Sequence, residues 1–257
     1  MDVVILCGGK GTRLSEETVS KPKPMVEIGG KPILWHIMKT YSSFGHKKFI
    51  LALGYKANFI KEYFYNLRIS ASDFTLKMTP DQDPLFYNSM PESDWEITFV
   101  DTGEETLKGA RVKLVEKYIE SDDFLLTYGD GLSNVNINDL INFHLSNKKI
   151  ATVTAVHPPS RFGELELNGS IVTNFQEKPQ MATGYINGGF FVFNKKIMDY
   201  LTEDENCDLE FGALQTLSNE GQLHAHLHDG FWQCMDNVRE RDYLDNLVRS
   251  NKAPWIK

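Results

Sequence analysis

The residues best suited to chemistry in this sequence stand where apolar stretches end. Val3-Val4-Ile5-Leu6 runs directly into Cys7-Gly8-Gly9-Lys10-Gly11-Thr12-Arg13. Four apolar, mostly β-branched residues read as a buried strand. Three glycines within four positions let backbone N–H groups approach a ligand with no Cβ in the way. Thr12 adds a hydroxyl, and Arg13 a planar fork of donors matched to phosphate. This is a phosphate cradle. Spacing excludes two familiar glycine loops: Lys10 is followed by Gly11 where a Walker A loop needs Ser or Thr, and Leu14 stands where a dinucleotide fingerprint needs its third glycine.

Two carboxylates also sit at strand ends. Asp130 follows the apolar run Phe124 to Thr127 and lies between Gly129 and Gly131, and Asp236 closes Phe231-Trp232-Gln233-Cys234-Met235. Either alone reads equally well as a turn aspartate. Together they can hold one Mg²⁺ against phosphate oxygens, the usual arrangement for a hard cation. Glu177-Lys178 ends a further strand, where Lys178 would supply a point charge and Glu177 would accept hydrogen bonds. His224, His226 and His228 alternate, which could bind zinc. Leu223, Ala225 and Leu227 between them explain the pattern more simply, with the apolar face inward and the histidines outward.

The elements that must position these groups alternate in type. Strands are expected at the N-terminal run and at Phe49 to Leu53, Ile97 to Val100, Phe124 to Thr127 and Ala151 to Val156. Helices are expected over Pro32 to Phe44, Asn58 to Asn66, Thr106 (as cap) to Ile119, and Ile137 to Ser146. Such alternation predicts parallel strands with right-handed crossovers, and a ligand site at their carboxyl ends. The second half is richer in strands: a pair at Glu164 to Leu167 and Ile171 to Gln176 turning at Asn168-Gly169, then Tyr185 to Phe193, Gln222 to His228 and Phe231 to Met235. A helix is expected near Asp208 to Leu217 and a last one over Val238 to Ser250. The expected fold is a single α/β domain over residues 1–257, a Rossmann-like mixed, mainly parallel sheet flanked by helices, with a smaller β lobe at about 157–236. An irregular insertion at about 68–95, with Pro80, Pro84 and Pro91, reads as an arm, lid or partner surface.

Composition narrows the partners. The 257 residues carry a net charge of −8 with no basic run, which argues against nucleic acid and anionic membrane as ligands. Cys7, Cys207 and Cys234 lie far apart without metal-ligand spacing. An odd cysteine count, with no leader peptide and no long apolar run, points to a reducing cytoplasm. Cys7 is expected to be a buried, inert thiol.

The Gly-Gly-x-Gly-Thr-Arg stretch, followed by Lys21-Pro22-Lys23-Pro24-Met25-Val26, resembles the two signature motifs of the sugar-nucleotide pyrophosphorylases, nucleotidyltransferases that join a nucleoside triphosphate to a sugar 1-phosphate. Leu34-Trp35-His36, Asp101-Thr102-Gly103, Thr127 to Gly131, Glu177-Lys178-Pro179, Asn187-Gly188-Gly189 and Gly230 to Gln233 extend the resemblance over the chain. They narrow it to the branch that uses CTP and glucose 1-phosphate to make CDP-glucose for the dideoxysugars of O-antigen. The likeness implies nucleotide contacts from Leu6, Cys7, Gly8, Gly9, Lys10, Gly11, Thr12, Arg13, Lys23, Thr102, Gly103, Thr106 and Arg111. It implies sugar-phosphate contacts from Glu177, Lys178, Asn187 and Gly188, Mg²⁺ on Asp130 and Asp236, and catalytic roles for Arg13, Lys23, Asp130 and Asp236. A homo-oligomer, a hexamer, is implied as well. Cys7 departs from the usual alanine and Ala110 from a glycine, and of a Trp-Glu-x-Glu-Pro-Leu pattern only Glu210 and Leu214 survive. The residues leave open the same chemistry with dTTP or UTP, another phosphorylated acceptor, or a non-catalytic nucleotide-sugar-binding module.

Overall fold

The computed structural model describes every residue except Pro80, Asp81, Ser89, residues 160–163, residues 177–183 and Lys257; the side chains of Arg13, Ser15, Glu16 and residues 164–167, 175 and 176 also fall outside it. Glu177, Lys178 and most of the loop after them therefore lie outside the described residues.

Seven strands form the central sheet. In chain order they are β1 (Val3–Cys7), β2 (Lys48–Leu53), β3 (Glu96–Asp101), β4 (Asp123–Tyr128), then, after the short β5 (Gly131–Ser133), β6 (Ala151–Val156). The hairpin β7 (Glu164–Asn168) and β8 (Ile171–Gln176) stands apart, and β9 (Ile186–Asn194) and β10 (Leu223–His228) complete the sheet. The spatial order is β10-β6-β9-β4-β1-β2-β3. All pairings are parallel except those of β9, which runs antiparallel to both β6 and β4. The site follows from this topology. Cys7, Leu53, Asp101 and Tyr128 end four co-directional strands at one edge, and the reversed β9 begins there, at Ile186.

All five residues of β1 are buried, and they divide by the two-residue period of a strand. Val3, Ile5 and Cys7 face α1 (Ile33–Ser43), α4 (Ile137–Asn147) and Leu244 of α5 (Val238–Arg249). Val4 and Leu6 face Val112 of α3 (Lys108–Leu114), together with Ile197, Leu209 and Leu217. Burial on both faces is what a continuous apolar run requires, at about 1.5–3 kcal/mol for each fully buried large side chain.

Several expectations are corrected by tertiary contacts. α2 runs from Ala57 to Ala71, beyond the expected end at Asn66, before a short hairpin of Phe74–Thr75 with Leu85–Phe86. Thr106 does not cap α3. Its N-cap is Leu107, and carbonyls of a distant loop satisfy the helix start, Leu107 N–H donating to Glu205 O and Ala110 N–H to Cys207 O. Asn168 pairs with Ile171, so the hairpin turns on Gly169 and Ser170. The expected helix at Asp208 opens as a π-helical turn, Leu209–Leu214. On β10 the facing is reversed: His224 and His226 pack on Phe143 of α4, with the His226 ring centroid 5.4 Å away, while Leu227 is 57% exposed. Helix α4 covers the histidine side of this edge strand. On the other side Leu223 alone reaches the core cluster. None of the three histidines joins a metal-ligating group among the described residues.

Candidate active site

A cavity of about 670 Å³ opens where the strand ends converge. The loop after β1 forms one wall from Leu6 to Thr12. Lys23, Asp130 and Asp236 stand at its floor, and Asn187, Gly188 and Trp232 close the far end. Thr106 and Arg111 also line it, whereas Thr102 is buried behind the wall. Arg13 lies in a 3₁₀ turn, Thr12–Leu14. Lys10, after β1, and Glu105, after β3, pair across the mouth.

The glycines of the first loop have separate reasons. A Cβ on Gly8 would stand 2.1 Å from Nη1 of Arg111, so Gly8 makes room for a guanidinium. Gly11 has φ +64, and a Cβ there would meet Lys23 and Thr18 at 2.9 Å. Gly9 has open space around it and is the one available for close approach of a ligand.

Arg111, only 3% exposed, ties three loops together. It donates to Thr102 Oγ1 (2.7 Å), Gly103 O (2.7 Å), Leu53 O (3.1 Å), Glu104 O (3.1 Å) and Gly8 O (3.3 Å). Burial pulls its pKa below the ordinary value, yet a guanidinium stays charged, and here neutral oxygens solvate it.

Lys23 is held differently. It opens a 3₁₀ turn after the extended Pro22, is 8% exposed, and donates to Asp130 Oδ2 at 2.6 Å and Asp236 Oδ1 at 2.7 Å. Burial would lower its pKa, but the two carboxylates outweigh that and raise it. A small ladder brings the aspartates together: β5 pairs with β11 (Trp232–Cys234), Gly131 opposite Cys234, and Met235 N–H donates to Asp130 O at 2.8 Å. The start of α5 then sets the Asp236 backbone. Asn237 caps the helix by accepting from Glu240 N–H, and the Glu240 carboxylate reaches back past the cap to Asp236 N–H at 2.6 Å.

Both thiols near the site are pushed up by burial. Cys7 is buried, and Cys234 rises to about 12 through burial and then the charges of Asp236, Glu240 and Asp130. Neither offers a thiolate at neutral pH. At the far end Tyr128, Lys108 and Trp232 join the wall without having been singled out as contacts. Trp232 Nε1 donates to Gly188 O at 2.7 Å, and Gly189, at φ +79, packs against the Tyr128 ring. Tyr128 lies inside the Thr127 to Gly131 motif, but no sequence spacing announces Lys108.

Residues 2–236 match the sequence profile of the nucleotidyl transferase family. The chain belongs to that family. It is 48% identical over 256 residues to a glucose-1-phosphate cytidylyltransferase of Salmonella typhimurium, covering 99% of this chain and 98% of that one. It is 44% identical to a probable glucose-1-phosphate cytidylyltransferase of Bacillus subtilis, covering 99% of both. In three dimensions it resembles HddC from Yersinia pseudotuberculosis, with a TM-score of 0.68 and 26% identity over 95% of this chain and 98% of that one. Among the described residues of this nucleotidyl transferase, no helix is long and apolar enough to cross a membrane.

Proposed function

We propose that the chain transfers a cytidylyl group from CTP to α-D-glucose 1-phosphate, giving CDP-glucose and pyrophosphate. One observation carries the chemistry: a buried ammonium and two convergent carboxylates line one cavity together with the glycine loop. Near full-length likeness to glucose-1-phosphate cytidylyltransferases carries the choice of substrates.

A sugar phosphate with a second pKa of about 6 is largely dianionic at neutral pH, so its oxygen attacks the α-phosphate without a general base. The task is to bring two polyanions together in line and to stabilise charge on the leaving pyrophosphate. Arg13 and the amides of the Gly9 loop hold the triphosphate, and Lys23 serves the α-phosphate. Thr102, Gly103, Thr106 and Arg111 shape the base end. Asn187 and Gly188, with Glu177 and Lys178, take the sugar phosphate within a sugar-side lobe of about residues 157–236.

Mg²⁺ fits the donors present. Asp130 and Asp236 converge on one cationic nitrogen and offer hard oxygens. When bound, the ion would neutralise charge on the reacting phosphates. The protein is proposed to act in the cytoplasm as a homo-oligomer, using large apolar residues exposed on α2 (Phe59, Tyr65, Ile69) and on the arm (Phe74, Met78, Leu85, Tyr87). Pyrophosphate release from CTP tests the reading: it should require both Mg²⁺ and glucose 1-phosphate and exceed the rate with dTTP or UTP. Release independent of the sugar phosphate would make the protein a hydrolase, and none with any triphosphate would leave a binding module.

A further inference from the structure

Glu210 is a half-buried acid, its side chain 25% exposed, that the transfer chemistry does not use. It lies in the π-helical turn Leu209–Leu214, a rare geometry that occurs often at functional sites. Its Oε1 accepts from Tyr128 OH at 2.6 Å and pairs with Lys108, while Oε2 is buried with no hydrogen-bond partner. An orphan carboxylate oxygen is a standing penalty that an apolar side chain would avoid. Glu210 does not line the cavity, but Tyr128, Lys108 and Asn187 do.

The hydrogen bonds form a chain with one direction. A carboxylate only accepts, so Tyr128 must donate to Glu210 and turn a lone pair to Asn187. Asn187 Nδ2 donates to Tyr128 OH at 3.0 Å, and Asn187 Oδ1 accepts from Gly189 N–H at 2.8 Å. Burial, and next the Glu210 charge, hold the phenol protonated, so the direction persists across the neutral range. Lys108 stays over the Tyr128 ring, 4.7 Å from its centroid.

We propose that Glu210 is a positioning residue for acceptor specificity: through Tyr128 it fixes which way the Asn187 amide faces, and so presents an N–H to a sugar hydroxyl. This rests on the reading that the Asn187 end takes the sugar phosphate. A polar group fixed in one orientation discriminates between hydroxyl epimers, because the wrong epimer leaves it unpaired.

The test is steady-state kinetics with CTP and glucose 1-phosphate varied separately, and with galactose 1-phosphate and mannose 1-phosphate as competing acceptors. Glu210→Ala should raise KM for glucose 1-phosphate and lower the preference over the epimers, each about tenfold, as for one lost hydrogen-bond link, with KM for CTP unchanged. Glu210→Gln keeps an acceptor for Tyr128 and should recover most of the preference. Tyr128→Phe, which keeps the ring, should match Glu210→Ala and carries the test if that variant does not fold. Unaltered epimer preference in Glu210→Ala or Tyr128→Phe, or equal effects on both substrates, overturns the proposal. If Asn187→Ala leaves KM for glucose 1-phosphate untouched, the sugar end itself is misplaced and both readings fall.

Discussion

Among the described residues the cavity holds two buried cations, and they are held in opposite ways. Arg111 is solvated by five neutral oxygens from the last residue of β2 and the loops after β1 and β3. Lys23 is solvated by two carboxylates. A guanidinium among carbonyls cannot be exchanged for anything a substrate brings, because its donors are what keep those carbonyls satisfied. An ammonium between carboxylates sits where a divalent cation would also be welcome. Two buried charges of one sign in one site thus serve different ends: Arg111 builds the wall, and Lys23 holds Asp130 and Asp236 together.

The comparison predicts that Arg111→Met is chiefly a folding defect. It strips donors from Gly8, Leu53 and Gly103 at once, and with about 1–3 kcal/mol for each carbonyl left buried and unsatisfied, stability should fall by about 3 kcal/mol or more, read by denaturant unfolding. A stable but CTP-blind protein would instead make Arg111 a ligand contact. Asp236→Asn should do the reverse, leaving the melting temperature nearly intact while turnover falls about a hundredfold, roughly 3 kcal/mol. Unchanged Mg²⁺-dependent turnover would remove Asp236 from the site. Next in size, Lys23→Met should raise Mn²⁺ affinity of the nucleotide-free protein about tenfold, about 1.4 kcal/mol, by releasing both carboxylates. Lys10→Met serves as a control for general electrostatics, because Lys10 lines the same cavity but pairs with Glu105. Equal effects of the two substitutions would mean that Lys23 does not compete for the metal position.

His36 extends the contrast to a base that carries no charge. Its Nε2 lies 2.9 Å from Ile28 O, and Trp255 Nε1 donates to Nδ1 at 3.3 Å, so a proton on Nδ1 would face another donor. Burial accordingly lowers its pKa. With the folded value below the ordinary 6.5, stability is complete above that pH and declines as pH falls toward the folded value. Between pH 8 and 5.5 the contribution lost should reach at most about 1.4 kcal/mol, and His36→Gln should show a flatter profile. An unchanged profile would move the acid sensitivity to His46, His144, His226 or His228, which are also lowered by burial.

Much of the molecule was legible in the order of residues. The run Val3 to Cys7, the strand Ala151 to Val156 and the helix Ile33–Ser43 announce themselves because buried strands and amphipathic helices impose short periods on apolar residues. Glycines and aspartates at strand ends mark the site edge for the same local reason, since neither residue type serves a core. What sequence could not decide is what those groups face. The meeting of Asp130 and Asp236 depends on the β5–β11 ladder, and the need for Gly8 on an arginine from α3. The inward histidines of β10 depend on where α4 lies, and the link from Glu210 to Tyr128 on a π turn from late in the chain. Local backbone preferences are written in near neighbours and can be read there. Which side chains share one buried pocket is set by how sheet and helices close around the core, and the tertiary structure alone decided that.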